Sequence, residues 1–252
     1  MGGGTAQRYA VVSCHVERLL DDRVWARYRS FLARRPSGFA IASLIRPPDP
    51  AFGEDEALWL ARVHEASAFG PLGHHTHWTA PDHARPVADG TGERVRAEGR
   101  RLRSLGLRPR LFCGGGWYTD ASVAEACAAL GYVDCTPRSE RPVYLDDGAA
   151  WAELDAPARV RLPSGGMLAA LPTTRSLGSL GRSVWTRRGP TEPVVHVYFH
   201  DTDLLDVRRR TLLPAVLAAL ARRRRPASPL ELPEPAGECS WDKIARGRPV
   251  AP

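Results

Sequence analysis

Lysine is almost missing from this 252-residue chain: of 35 basic residues, Lys243 alone is not arginine. Such one-sided usage reflects a GC-rich coding bias, so the formal charge of +7 says little about partners. The basic residues lie among acidic ones, apart from the run RRRR at 222–225. That run closes an expected helix, where cations favour the helix dipole. Basic and aromatic residues do not interleave as a base-stacking surface needs, and no nucleic-acid partner is expected. Also missing is any apolar run near the roughly 18 residues of a membrane span. The opening MGGGTAQR has no apolar core of the kind a leader carries. The expectation is a cytoplasmic protein with no membrane partner. Five cysteines, at 14, 113, 127, 135 and 239, form no CxxC and are odd in number. This argues for reduced thiols and against a disulfide framework or a cysteine-built zinc site. There is no internal repeat.

What is present is enough apolar material, 43%, for one full core. Short apolar runs alternate with amphipathic stretches, the mark of βα units around a parallel sheet or barrel. Strands are expected over 9–17, 38–45, 109–116, 132–136 and 193–203, with another in FGPLGHHTHW. Helices are expected over 22–34, 54–67, 92–105, 120–131 (Asp120 as N-cap, Gly131 just past the end) and 208–225. The stretch 137–190 reads as irregular with short strands. Residues 9–225 form the expected barrel domain, and the Pro-rich 226–252 is expected to trail over the surface.

Three of the eight histidines fall within the four positions 74–77, and strand parity sorts them. Side chains alternate faces along a strand, so His75 and His77 share one face, opposite His74 and Thr76. Likewise His15 and Glu17 share a face, as do His196, Tyr198 and His200. Buried strand positions are normally apolar, so three strands ending in imidazole or carboxylate on one face imply groups that are used. In α/β barrels the C-terminal strand ends carry the site. Glu17, His75 and His77 supply a two-His, one-carboxylate set that suits a divalent ion, zinc above all, with open positions left over.

The order of a strand-end acid or His, then GHHTH, LFCGGGWY, ALGYVD and a late VYFH resembles the polysaccharide deacetylase family of NodB-like barrels. The resemblance implies an α/β fold, a distorted (β/α) barrel of about seven strands, that hydrolyses an acetamido or ester group on a sugar-like small molecule with a divalent metal. Matched to the family's first motif, Glu17 falls on the metal ligand and His15 on the base. His75 matches the first His of the second motif. Thr79 stands where the second His belongs, and His77 is the nearby substitute on the correct face. Cys113 stands where the family has an Arg that pairs with a base Asp. With His15 as base that Arg would repel the imidazolium, so the two departures are mutually consistent.

His200 falls on the family's general acid, and Asp134 on the Asp that orients it. Asp134 reads equally as a cap, and Asp201 and Asp203 suit either role. The resemblance thus implies that His15 takes a proton from the attacking water and His200 protonates the departing amine. Gly115, with its neighbours 114 and 116, allows either an oxyanion donor or a plain tight turn. Trp78, Trp117, Tyr118 and His196 are candidate substrate contacts, and core packing is the competing role of the aromatics. Two other classes stay open on the same barrel: metal-free acid/base chemistry by a cyclase, lyase or isomerase using His15, His196 and His200, and a non-catalytic carbohydrate-binding module.

Overall fold

The computed structural model describes residues 7–86, 90–142, 145, 147–185, 191–235 and 237–248. The strands are β1 (Tyr9–Val16), β2 (Ala42–Ile45), β3 (Leu72–Thr76), β4 (Leu111–Gly114), β5 (Val133–Asp134), β6 (Trp151–Ala152), β7 (Ala158–Arg161), β8 (Met167–Ala170), β9 (Arg175–Ser176), β10 (Val194–His200), β11 (Arg225–Pro226), β12 (Gly237–Ser240) and β13 (Ala245–Arg246). The helices are α1 (Asp22–Ala33), α2 (Glu56–Ser67), α3 (Thr91–Ser104), α4 (Ala121–Ala129), α5 (Leu177–Trp185), α6 (Val207–Ala221) and α7 (Trp241–Ile244).

The main sheet runs β12-β7-β8-β5-β4-β3-β2-β1-β10-β9, with β11 also on β1 and only the β7–β8 pair antiparallel. It is an α/β fold, a distorted barrel whose ladder is not closed by a strand pair among the described residues. A strap closes it instead. Leu171 N donates to Asp134 O (2.8 Å), Thr173 N to Pro137 O (2.9 Å) and Thr174 N to His196 O (3.1 Å), which carries the chain from β5 across to β10.

Parity along β1 divides the molecule. Ala10, Val12, Cys14 and Val16 face outward into a core that includes Trp25, Tyr28, Phe31 and Leu32 of α1 and Leu213, Val216 and Leu217 of α6. Val11 lies with Leu44, Leu111, Cys113 and Trp117 in an inner cluster. Helix α1 starts where Asp21 accepts from Arg23 N and Val24 N, which satisfies two amides of its first turn. Asp120 caps α4 as expected, accepting from Val123 N at 2.9 Å, and Gly131 past its end has φ 65°.

Several expectations change, among them the stretch 137–190 read as irregular with short strands, which also holds helix α5. The strand expected over 109–116 ends at Gly114, because Gly115–Trp117 turns in a 3-10 conformation. The segment after Pro226 does not simply trail over the surface: β12 pairs in parallel with β7, and Trp241 and Ile244 are buried in the core beneath α4. The apolar residues of this tail are too widely spaced to mark an element in the sequence, and burial against β7 is what orders them. All five cysteines are free.

Candidate metal and acid–base site

The parallel register between β1 and β10 sets His15 beside His200, Ser13 beside Tyr198 and Val11 beside His196. On the other side β3 pairs with β4, His75 opposite Cys113. Equal parity and adjacent registers therefore stack the ionisable groups in layers inside the barrel mouth. The His15 ring lies 4.5 Å from that of His75 and 5.2 Å from that of His200, and His75 lies 5.0 Å from His77. Glu17, one residue past the end of β1, reaches into the middle. Its Oε1 stands 3.3 Å from His77 Nε2, 3.5 Å from His75 Nε2 and 3.6 Å from His200 Nε2. The five residues singled out from parity and resemblance converge.

These distances are informative. Hydrogen bonds to a carboxylate favour about 2.7–3.2 Å, whereas a tetrahedral ion with bonds near 2.05 Å holds its ligand atoms about 3.3 Å apart. The far nitrogens are already engaged: His75 Nδ1 meets Cys113 O at 2.9 Å and His77 Nδ1 meets Pro81 O at 2.7 Å. Each ring thus donates to a backbone carbonyl and turns Nε2 inward, the arrangement that orients metal-binding imidazoles. His75 Nε2 is buried without a hydrogen-bond partner. Glu17, His75 and His77 form one candidate ligand group, and His15 and His200 with Glu17 form another that shares its carboxylate. The donor set fits a borderline divalent ion.

Electrostatics follows from burial. Burial opposes ionisation of Glu17, but the neighbouring His75 and then His77 imidazoles override it and hold the carboxyl far below its usual range. Burial, then the neighbouring His75 and His200, push His15 well below the ordinary imidazole range. Its Nε2 is buried and unpartnered, so near neutral pH it is an uncommitted base. Arg46 steadies the acid from behind, with Nε donating to Glu17 O at 3.2 Å while the guanidinium pairs with Glu54.

His74 answers for the third histidine of the cluster. It points to the opposite face, where Nε2 meets Glu98 Oε2 at 2.8 Å and Thr76 donates to the same oxygen at 2.9 Å. That pairing ties β3 to α3 and is structural.

Several sequence-derived roles are not met by the geometry. Asp134 has no hydrogen bond or ion pair with His200: its Oδ1 accepts from Thr136 N at 2.8 Å, Oδ2 is buried without a partner, and burial raises its pKa to about 6. Strand β5 is separated from β10 by the strap, which sequence order does not reveal. Asp203 caps the chain at His200, accepting from its backbone N at 3.0 Å, and Asp201 accepts from Arg18 N at 2.9 Å. His196 lies a layer deeper, fully buried, with Nε2 2.9 Å from Ser13 Oγ, and burial lowers its pKa to about 4.

Trp78 and Tyr118 are packing residues. Trp78 Nε1 donates to Gly115 O at 2.8 Å, its ring meets Tyr118 at 5.5 Å, and the Tyr118 hydroxyl donates to Asp120. Gly115 is required by close approach, since a Cβ there would lie 2.4 Å from Thr76 O and 2.5 Å from Ala84 O. Beside it, Gly114 N donates to Thr136 Oγ1 at 2.8 Å and offers no free oxyanion donor. Trp117 does line the site, 5.2 Å from the His15 ring, and it holds φ 63°, a strained conformation for a bulky residue.

The ionisation of Asp134 gives a testable outcome. A carboxyl titrating near 6 when folded, against 3.8, adds stability that is complete below pH 3.8 and is lost as pH rises through 6. At pH 8 the buried anion therefore costs about 3 kcal/mol. Asp134→Asn is expected to raise stability in urea at pH 8, to change it little at pH 4, and to leave activity intact. A loss of turnover with normal metal content would restore Asp134 to the site.

Sequence reasoning missed Tyr198 and Arg138 as site residues. Tyr198 stacks on His15 at 5.2 Å and meets Trp117 at 4.7 Å; its parity with His196 and His200 was the available signal. Arg138 lies over both rings, 4.3 Å from the Trp117 centroid and 5.3 Å from that of Tyr198. Nothing in CTPRSE marks it, because the placement depends on the strap.

The sequence matches no family model and no curated protein. Solved structures do match. The fold aligns with a 4-alpha-glucanotransferase from Thermococcus litoralis (TM-score 0.58, 12% identity, 93% of this chain) and spans 42% of that enzyme's length. It aligns with an active mutant of a CE4-family pseudoenzyme at TM-score 0.51 and 8% identity over 94% of this chain and 67% of that one. The chain shares its α/β fold with both. A candidate polysaccharide deacetylase of O-antigen biosynthesis from Bordetella bronchiseptica aligns at TM-score 0.48 and 13% identity, over 87% of this chain and 85% of that one. Among the described residues no helix is long and apolar enough to cross a membrane.

Proposed function

We propose that the protein is a divalent-metal-dependent hydrolase that removes an acetyl group from an acetamido- or ester-bearing sugar, with Glu17, His75 and His77 as the metal ligands. The observation that carries this reading is one carboxylate oxygen at 3.3–3.6 Å from three imidazole Nε2 atoms, two of them on rings tied through Nδ1 to backbone carbonyls. The fold, shared with a glucanotransferase and with a CE4-family protein, supports a sugar as the substrate class. Zinc is the ion best suited to a His/His/carboxylate set. Such an ion supplies Lewis acidity, which polarises the scissile carbonyl and makes water acidic enough to attack near neutral pH. His15 takes the proton of the attacking water. His200, partly open to solvent at the rim, gives a proton to the departing amine or alcohol. Trp117 and Tyr198 hold the His15 ring from two sides.

The test is elemental analysis of protein purified without a chelator or metal-affinity column, followed by hydrolysis of acetylated aminosugars before and after dialysis against a chelator. About one zinc per chain, activity lost on chelation and restored by zinc, is the expected result. Turnover that survives complete metal removal would overturn the metal-dependent reading and leave His15 and His200 as a metal-free acid–base pair.

A further inference from the structure

Arg138 is a cation inside the barrel wall without an anion. Its Nε and Nη1 are buried and have no hydrogen-bond acceptor, and no carboxylate pairs with it among the described residues. The two aromatic faces beneath it attract the charge, but a π face offers no lone pair in the guanidinium plane, so the N–H groups remain unsatisfied. The backbone is pinned on both sides, Arg138 N donating to Ala152 O at 2.9 Å and Leu154 N to Arg138 O at 2.8 Å. The side chain therefore launches from a fixed frame. The residue as a whole is partly exposed, and Nη2 is not among its buried, unpartnered nitrogens, so a ligand meets the guanidinium at its Nη2 edge. Through Trp117 and Tyr198 it stands one ring away from His15.

An unsatisfied guanidinium at such a place persists when something supplies the missing acceptor. We propose that Arg138 is a substrate-binding and specificity-determining residue that takes a carboxylate on the sugar, so that the substrate is an acidic sugar with its anionic group at the edge of the guanidinium that lies over the Trp117–Tyr198 pair. A single planar guanidinium matches a monoanionic carboxylate, whereas a phosphoryl group draws several donors. The sugar part of this inference rests on the hydrolase reading; the anion part does not.

Binding, not turnover, tests it. D-glucuronate, glucose 6-phosphate and D-glucose are titrated by calorimetry into the protein as purified and into Arg138→Gln and Arg138→Lys. Glucuronate is expected to bind about 10- to 100-fold more tightly than glucose. Arg138→Gln should abolish that preference while leaving glucose binding unchanged, and Arg138→Lys should restore part of it. Equal binding of glucuronate and glucose, or a preference that survives Arg138→Gln and so comes from elsewhere in the site, overturns the proposal. Tighter binding of glucose 6-phosphate than of glucuronate overturns the carboxylate assignment. The melting temperature of Arg138→Met is a second check, because no protein acceptor is lost: it should stay level or rise, and a large fall would make Arg138 a structural residue. Failure of hydrolysis or metal loading leaves the anion preference and its dependence on Arg138 in place, so the two readings fail separately.

Discussion

Glu17→Ala yields a folded protein that neither retains zinc through dialysis nor turns over substrate. Glu17 Oε1 stands within 3.6 Å of the Nε2 atoms of His75, His77 and His200 alike, so its loss removes the anionic member of the ligand set and leaves imidazoles alone. Two histidines bind a dication weakly, and affinity should fall by at least about 100-fold. The fold itself should survive. Glu17 lies past the end of β1 and is partly exposed, while the core on the outer face of β1 does not involve it. The checks are zinc content, circular dichroism and hydrolysis rate measured on one preparation. Glu17→Gln sharpens the result, since it keeps shape and removes only charge. Full zinc occupancy in either variant would move the ion to another ligand group, His15 with His75 and Cys113 being the neighbouring alternative.

His15→Asn is expected to do the opposite, keeping zinc and losing turnover by roughly 10²- to 10⁴-fold, the usual contribution of a positioned base. The argument is geometric first. His15 Nε2 is buried and unpartnered, and its ring is held between Tyr198, Trp117 and His75. An imidazole works as a base only when neutral. Burial and the neighbouring His75 and His200 depress its proton affinity, and a bound dication pushes the same way. The acidic limb of the pH–rate profile should therefore lie below the ordinary imidazole range near 6.5. His15→Asp should restore a carboxylate base, yet Cys113 rather than Arg faces this part of the barrel, so the new acid lacks a cationic partner. Should His15→Asn lose zinc and Glu17→Ala keep it, the two roles are exchanged.

How much of this was legible without coordinates depends on the range of the interaction involved. Strand parity is local: period two along HVE, HHTH and VHVYFH sufficed to place His15, Glu17, His75, His77 and His200 on one inner face and to turn His74 away. The α/β alternation and the Asp120 cap are equally local, being set by hydrophobic period and by the unmet amides of a helix's first turn. What failed involved contacts between distant segments. The strap from Leu171 to Thr174 separates Asp134 from His200 and brings Arg138 over Trp117 and Tyr198, and no short pattern encodes a closure made by a few backbone hydrogen bonds. The aromatics divided in the same way. Trp78, Trp117 and Tyr118 are near neighbours in sequence or space, yet the positive φ of Gly116 and Trp117 sends one ring to the site, while Trp78 and Tyr118 pack beneath the turn. The C-terminal segment found its place only because β7 offered an open edge for β12. Periodicity in the chain thus determined which face each strand-end group occupies, and tertiary closure decided which of those groups meet, because register across a barrel is set by partners far away in the sequence.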